Sequence, residues 1–505
     1  MASLQSIDHF VVLMLENRSF DCVLGALYPK SPAFEGIDGT ETNIGADGRK
    51  WLLTKCPVTK KLADSAVPAP DPGELWVEMN LQIFGSRQLN PDGSPKEGAV
   101  ADMSGFIESY TDIAVDPSRA AHDPQRLMTY YDPRVHMPAL ASLAEEFAVC
   151  DCWFASAPCQ TWPNRFFLHT GTAAGYENNQ PKKIFDLKMK SVFEAFDDAG
   201  LSDGWAIYHH DIPQTATLTN LRMRNQNFHL FDTFLKNAKA GKLPRYSFIE
   251  PRYYADIDIR VFPPRINLPN DQHPPHVVTF GDELVASVYN ALRSNIEAWK
   301  KTILIIIYDE HGGCYDHVPP GKAVPPGQGV SDNPSPVFAF DRYGVRVPAV
   351  IASPYINRGT VLRPSDAYPG DGATPFDHTS VIKTLQERFG LGAPLTDRVA
   401  AAPTLERVLT LDTPQNLGPA SVTPSTRKVG LLHKLKSLWE PWGDFQESLH
   451  QAARKLPSAD HGRAQRYFDR HDTVPDPNKP DGVDSDATAM WEYFKNRALK
   501  AMRIR

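Results

Sequence analysis

Two carboxylates stand side by side at Asp309-Glu310, followed by His311 and the glycine pair Gly312-Gly313. Adjacent carboxylates repel unless a cation or a proton lies between them, and glycines directly behind them let the backbone pass close to a ligand. The segment therefore reads as half of a metal site. Glu16-Asn17, at the end of an apolar run, offers a carboxylate and an amide oxygen. Hard oxygen ligands of this kind suit Mg, Ca, Mn or Zn; the alternative is a turn in which Asn17 and Ser19 cap a following helix. In Thr161-Trp162-Pro163-Asn164-Arg165, Pro163 marks the first turn of a helix. Thr161 then lies where free N–H groups and the helix dipole favour an anion such as phosphate, and it reads either as a helix cap or as a hydroxyl placed for chemistry. His273 beside Asp271 and His378 near Asp377 set an imidazole next to a carboxylate, the arrangement of an oriented proton carrier or of a partner to a metal ligand.

These residues need a frame that delivers them to one place. Short β-rich runs at Ile7 to Leu15, Phe147 to Asp151, Trp205 to Tyr208, Tyr246 to Glu250, Thr302 to Tyr308 and Val347 to Ala352 alternate with helical patterns. The helical segments are Met137 to Glu146, Ser191 to Ala199, Asp282 to Trp299 and Thr379 to Phe389. That alternation predicts an α/β fold with a mostly parallel central sheet and helices on both faces. In such sheets ligands collect beyond the carboxyl ends of the strands, which is where Glu16-Asn17, His209-His210 and Asp309-Glu310 stand.

The formal charge of -7 gives no electrostatic footprint for nucleic acid. No apolar run approaches the ~20 residues of a membrane helix, and the start of the chain carries no secretory signal pattern. The expected location is cytoplasmic, or outside the cell by a route that reads no N-terminal signal. Six cysteines without paired CxxC spacing match neither a disulfide framework nor a zinc knuckle; Cys150 and Cys152 read as small buried hydrophobes on one strand face.

Taken in order, Glu16 to Asp21, Thr161 to Arg165, Asn270 to Pro274, Asp309 to Pro320 and Asp377 to Leu385 resemble the motifs of the bacterial phospholipase C and acid phosphatase family, which is related to plant non-specific phospholipases C. The resemblance covers roughly the first four hundred residues. It implies an alkaline-phosphatase-like fold and a Ser or Thr nucleophile on a divalent metal, Zn, Mg, Mn or Ca. Carried over, Glu16, Asn17, Asp309 and Glu310 are the expected ligands around Thr161, His273 matches a catalytic-site histidine, and His209 and His210 match a His pair of the phosphatase branch. His378 is expected beside a ligand or on the substrate side. Cys22, Cys314 and Cys152 depart from the family pattern near these motifs.

The implied activity is that of a phospholipase C, which releases a phosphorylated head group and diacylglycerol through a phosphothreonine-type intermediate; the substrate is a phospholipid or a small phosphoester. Thr161 attacks phosphorus, His273 protonates the leaving alcohol, and Asn164 donates to a phosphate oxygen. Trp162, Tyr315 and His311 are expected on the substrate side, and Trp153, Trp162, Tyr208 and Tyr315 could cage a choline group. An acid phosphatase of the same family is the alternative, and a non-catalytic binding protein on the same fold the remote one. The catalytic domain is expected over 1–410. A linker and mainly helical region over 411–505 follows, in which Leu431, Leu435, Trp439, Phe445, Leu449 and Leu456 line helix faces beside basic residues. That pattern suits a peripheral membrane contact or docking on the parent domain.

Overall fold

The computed structural model describes residues 3–58, 66–179, 189–221, 224–258, 265–327, 338–425 and 444–453. Among them the strands of the central sheet are β1 His9–Leu15, β2 Ala148–Cys150, β3 Trp205–His209, β4 Phe228–Leu230, β5 Tyr246–Ile249, β6 Thr302–Tyr308, β7 Ala349–Ala352 and β8 Thr360–Leu362. Across the sheet they lie in the order β8, β2, β7, β6, β1, β5, β3, β4. Every pairing is parallel except the two made by β7. All seven residues of β6 are buried. Because successive side chains point to opposite faces, both faces of the sheet are covered there, and an unbroken Ile-rich run is what such a strand requires.

Among the described residues the helices of seven residues or more are α1 Trp76–Phe84, α2 Pro138–Glu146, α3 Thr161–Thr170, α4 Val192–Asp198, α5 Phe231–Ala240, α6 Val278–Arg293, α7 Thr379–Phe389 and α8 Asp444–Ala453. Around the sheet, α6 packs with α2 and α5, and α3 packs with α4 and α7. The helix expected from Asp282 to Trp299 begins earlier, at Val278, and breaks after Arg293, where Asn295 accepts the Ala298 N–H and starts a separate turn. Asparagine competes with the helix for backbone N–H groups in this way. The strand expected from Val347 begins at Ala349, since Pro348 has no N–H to give a ladder. The edge strands β4 and β8, three residues each and partly exposed, carry no alternation that sequence reading could use.

Between β1 and α2 the chain builds a second core from Ile83, Phe84, Phe106, Ile107, Tyr110 and Tyr315, among others. This insertion lies against the turn that follows β6, because Tyr315 belongs to both. All six cysteines are buried and none is in a disulfide, Cys150 and Cys152 having sulfurs 3.8 Å apart.

The stretch expected to be a linker from residue 411 instead runs along the catalytic unit, because its backbone and asparagine amides are bonded to it. The Leu411 N–H donates to Tyr355 O at 2.9 Å, Asn416 Nδ2 to Glu146 O at 2.7 Å, and the Tyr289 hydroxyl to Pro419 O at 2.7 Å. One compact unit extends to Leu456, so a boundary at 410 falls inside it. Helix α8 belongs to this unit: Tyr254 donates to Gln446 O at 2.6 Å, Gln446 Nε2 donates to Tyr253 O, and Leu449 is buried. Leu431, Leu435, Trp439 and Leu456 lie outside the described residues, as do 457–505. No described helix is long and apolar enough to cross a membrane.

Candidate active site

The parallel register of β1 and β6 places Leu15 opposite Tyr308, so Glu16 and Asp309 leave the sheet side by side. The Asp309 N–H donates to Leu15 O at 3.2 Å. Asn17 turns into the left-handed region at φ 51°, which asparagine tolerates better than most residues. Its N–H reaches Asp309 Oδ1 at 3.0 Å, and its Nδ2 reaches Glu310 Oε1 at 2.7 Å. Glu310 Oε2 accepts the Gly312 N–H at 2.7 Å. Both adjacent carboxylates thus reach Asn17, and the chain doubles back behind them at Gly312 and Gly313, both left-handed at φ 61° and 60°. A Cβ on Gly312 would lie 2.2 Å from Asn17 O, so glycine is what allows the two loops to touch.

Thr161 is the first residue of α3, with Gln160 as the cap. Its Oγ1 donates to Asn17 Oδ1 at 3.3 Å, and the hydroxyl also favours ionised Asp309. One turn on, Arg165 puts Nη2 3.0 Å from Glu16 Oε1 and Nε 3.6 Å from Asp309 Oδ2. Thr161, Glu16, Asn17, Asp309, Glu310 and Arg165 are wholly buried. Burial pushes the Glu16 carboxyl well above its usual range against the pull of Arg165. Burial and then Asp309 do the same to Glu310, and Asp309 itself is raised by burial.

A single guanidinium cannot neutralise three buried carboxylates. Glu16 Oε2 and Asp309 Oδ2 have no hydrogen-bond partner among the described residues. These two oxygens, the second 3.6 Å from Arg165 Nε, together with the carboxylate of Glu310, the amide oxygen of Asn17 and the hydroxyl of Thr161, are hard oxygen donors of the kind that suits a divalent cation, although the three carboxylates are not drawn within 4.8 Å of one another.

The histidines divide. His273 Nδ1 donates to Pro274 O at 2.6 Å, leaving Nε2 directed toward Glu74 Oε1 at 3.5 Å. Burial lowers its pKa to about 4, against the upward pull of Asp271. His378 Nε2 donates to Asp309 O at 2.6 Å and its Nδ1 accepts from Trp153 Nε1 at 3.3 Å, so both ring nitrogens are spent, one of them on the backbone of Asp309. His311 Nε2 donates to Gln82 Oε1 at 2.8 Å, and burial lowers its pKa to about 3. It is a neutral support behind Glu310 rather than a substrate contact. His209 and His210 hold backbone oxygens of Asp211 (2.7 Å) and Glu250 (3.3 Å), and His210 stacks on Phe231.

Three further expectations are corrected. Asn164 spends both ends of its amide on the preceding loop: Oδ1 accepts the Ala157 N–H at 3.0 Å, and Nδ2 donates to Cys159 O at 2.7 Å. It shapes the approach to Thr161 and has no donor left for phosphate. Trp162 has no exposed surface and packs edge-on to Phe166. Tyr315 packs on Phe106 in the second core. Trp153 and Tyr208 are buried too, so none of the four aromatics is displayed as a choline cage.

Sequence reasoning missed Arg165, which lay within a recognised motif, and Asp71, Glu74 and Gln82, which lay in none. Asp71, Glu74 and His273 bring ligand-type atoms within 4.8 Å of one another. A second group, Asp21, Asp316 and His317, is organised by Arg346, with Nη2 2.9 Å from Asp21 and Nε 3.0 Å from Asp316. There the guanidinium takes the place a cation would have.

The mostly parallel α/β sheet brings the Thr161 hydroxyl, at the start of a helix, among the carboxylates at the ends of β1 and β6. The chain belongs to the Phosphoesterase family, whose model matches residues 7–392, and it is a phosphoric ester hydrolase. It is 37% identical over 471 residues to non-specific phospholipase C1 of Arabidopsis thaliana, across 89% of this chain and 79% of that protein. It is 28% identical over 431 residues to phospholipase C A of Mycobacterium tuberculosis, across 77% of this chain and 74% of that one. Among solved structures, a protein of the alkaline phosphatase superfamily from Vibrio parahaemolyticus aligns with a TM-score of 0.31 and 13% identity, across 54% of this chain and 66% of that one.

Proposed function

We propose that the protein is a phospholipase C that releases diacylglycerol and a phosphorylated head group through a phosphothreonine at Thr161. The observation that carries this is the Thr161 hydroxyl, 3.3 Å from Asn17 Oδ1 at the end of β1, amid buried carboxylates that a single arginine cannot balance. The Thr161 oxygen, its proton passing to solvent, forms the new bond to phosphorus while the bond from phosphorus to the lipid alcohol breaks. The alcohol takes a proton from the protonated form of His273, at Nε2; in the second step a water gives a proton back to Nε2 as its oxygen bonds to phosphorus, and the bond from phosphorus to Thr161 breaks, the threonine oxygen regaining its proton from solvent. Glu16, Asn17, Asp309, Glu310 and Thr161 would hold the metal. When bound, it supplies positive charge that offsets the phosphate oxygens and makes the threonine hydroxyl more acidic. With oxygen donors only, magnesium, calcium or manganese suits the set better than zinc, which favours nitrogen and sulfur.

The phosphomonoesterase reading keeps one observation in its favour. Trp153, Trp162, Tyr208 and Tyr315 are at most 5% exposed, so none of them grips a choline head group. Comparing p-nitrophenylphosphorylcholine with p-nitrophenyl phosphate separates the two, since a phospholipase prefers the diester. For the nucleophile, enzyme quenched in acid during turnover should carry phosphocholine on the peptide containing Thr161. Thr161→Ala should fold and lose turnover by orders of magnitude, and Thr161→Ser should keep part of it because the hydroxyl survives. A Thr161→Ala variant within tenfold of wild type would show that water attacks directly.

A further inference from the structure

Helix α1 carries its polarity the wrong way round for a helix at the surface. Seven of its nine residues are buried, and all three of its polar side chains are among them. Each of the three is used inside the protein. Glu78 accepts the Leu75 N–H at 2.9 Å and pairs with Arg119 at 2.6 Å. Asn80 donates to Gly93 O at 3.0 Å and accepts from Arg342. Gln82 donates to Gly73 O at 2.7 Å and accepts from His311 Nε2 at 2.8 Å. What faces outward is apolar: Val77, Leu81 one turn on and half-buried, and Leu75 just ahead of the helix. Leu75 and Val77 are 39% and 38% exposed. A helix that meets only water carries polar residues on that side.

The apolar display is concentrated. Among the described residues ten large apolar side chains stand in solvent, and nine of them belong to the insertion between β1 and α2, the tenth being Val324. Single exposed apolar residues need no explanation, whereas their collection in one part of a chain marks a contact surface. The same insertion lines the active site. Glu74, one residue ahead of Leu75, puts Oε1 2.6 Å from Asn17 Nδ2 and 3.5 Å from His273 Nε2. Asp71, partly exposed, puts Oδ2 3.7 Å from His273 Nδ1. The histidine assigned to the leaving alcohol therefore faces the segment that runs into α1, and the apolar face begins at the next residue.

We propose that Leu75, Val77 and Leu81 form the face that enters the surface of a phospholipid bilayer and meets the diacylglycerol part of the substrate. This rests on the phospholipase reading. The leaving group of such a substrate is a glycerol bearing two acyl chains, and it departs on the side of His273, where these three side chains supply the apolar surface. The face has no charged side chain, and the formal charge of the whole chain is -7, so nothing in it selects anionic lipid. It fits neutral phosphatidylcholine, held by apolar burial rather than by charge.

The test follows initial rate against the concentration of phosphatidylcholine vesicles, and kcat/KM on soluble p-nitrophenylphosphorylcholine, for wild type, Leu75→Gln/Val77→Gln and Leu75→Trp. Glutamine keeps helix propensity and removes apolar surface. The double variant should need about tenfold more vesicle lipid for half-maximal rate, with the soluble ester unaffected. Leu75→Trp enlarges the face and should lower that concentration about threefold, again without effect on the soluble ester. Wild-type vesicle dependence in the double variant, or no gain in Leu75→Trp, would overturn the inference and leave the phospholipase reading standing. An equal loss on vesicles and soluble ester in the double variant would also overturn it, by giving these side chains to the fold of the site. A wild-type dimer that the double substitution turns into monomers in analytical ultracentrifugation would give the face to a second copy of the chain instead. Wild type that hydrolyses nitrophenyl esters but no phosphatidylcholine, in vesicles or in detergent micelles, would refute the phospholipase reading itself, and the lipid face with it.

Discussion

Gly312→Ala is the sharpest probe of how the site is assembled. The position is left-handed at φ 61°, and a Cβ there would lie 2.2 Å from Asn17 O, 2.7 Å from its carbonyl carbon and 2.8 Å from its Cβ. Two of those atoms are backbone, so no flexible side chain can swing aside. Ordinary contact begins near 3.4 Å, so the two loops must separate by about 1.2 Å. A displacement of ~1 Å at a catalytic group costs on the order of 10²-fold in rate, or about 2.7 kcal/mol at 1.36 kcal/mol per decade. Backbone strain adds roughly 1–3 kcal/mol of stability loss. Gly359→Ala separates the two effects, since Gly359 is also left-handed, at φ 72°, but a methyl group there would meet nothing within 4 Å. Both variants should lose stability in thermal unfolding. Only Gly312→Ala should also lose divalent-metal affinity, read by calorimetry, and kcat/KM on a soluble nitrophenyl ester. A folded Gly312→Ala enzyme within threefold of wild type in both would refute the claim that contact between the loops sets the position of Asn17.

Asp309→Asn should lower metal occupancy together with rate, as measured by metal analysis after dialysis; full activity after verified metal removal would defeat the metal reading. Arg346→Met should cost about 3–5 kcal/mol in denaturant unfolding, because it leaves Asp21 and Asp316 buried without their cation. At His317, burial alone would lower the pKa, yet the hydrogen bond and charge of Asp21 raise it. Its contribution to stability is therefore full below the unfolded pKa of about 6.5 and fades as pH rises through the higher folded value; His317→Gln should flatten that limb of the stability profile. Ending the chain before Asp444 removes Gln446 and Ser448, which hold Tyr253 O and Asn179 O. Since Asn179 Oδ1 accepts the Trp162 N–H at 2.9 Å, hydrolysis of a soluble ester should fall along with any change in vesicle binding.

The residues of the central frame were legible because burial on two faces writes a continuous apolar signature, and β1 and β6 carry it without interruption. The oxygen donors were legible for a related reason, since strand ends in a parallel sheet are where the chain can present polar groups without breaking the ladder. What the sequence could not disclose is the work of the insertion between β1 and α2. Glu74 and Gln82 sit among prolines and mixed helix residues with no periodicity to mark them, and their partners Asn17, His273 and His311 are about 60 to 230 residues distant. The substrate-side reading of Trp162, Tyr315 and Asn164 failed on the same ground. Closeness to a motif in the chain says nothing about which way a side chain faces, and these three face inward, to Phe166, to Phe106 and to the loop over 157–160.

Thr161 marks the limit most clearly, because its two readings differ by one residue of helix. As a cap, its hydroxyl would accept an N–H from the second or third helical residue and have little left for chemistry. As the first helical residue it has no such duty. The helix starts at Thr161, and the role of cap passes to Gln160, whose carbonyl takes the Asn164 N–H at 3.4 Å and whose side chain takes the Asn179 N–H at 2.9 Å. Sequence patterns locate helix ends only to within a residue or two, so they could not decide between these states. Pro163 could not decide either, since proline is tolerated throughout the first turn, where N–H groups lack partners anyway. The difference is made by Asn164, which draws the 157–160 loop down over the start of α3 through Ala157, Cys159 and Gln160. A threonine released from capping in this way turns its hydroxyl toward the polar ends of β1 and β6, where Asn17 accepts it.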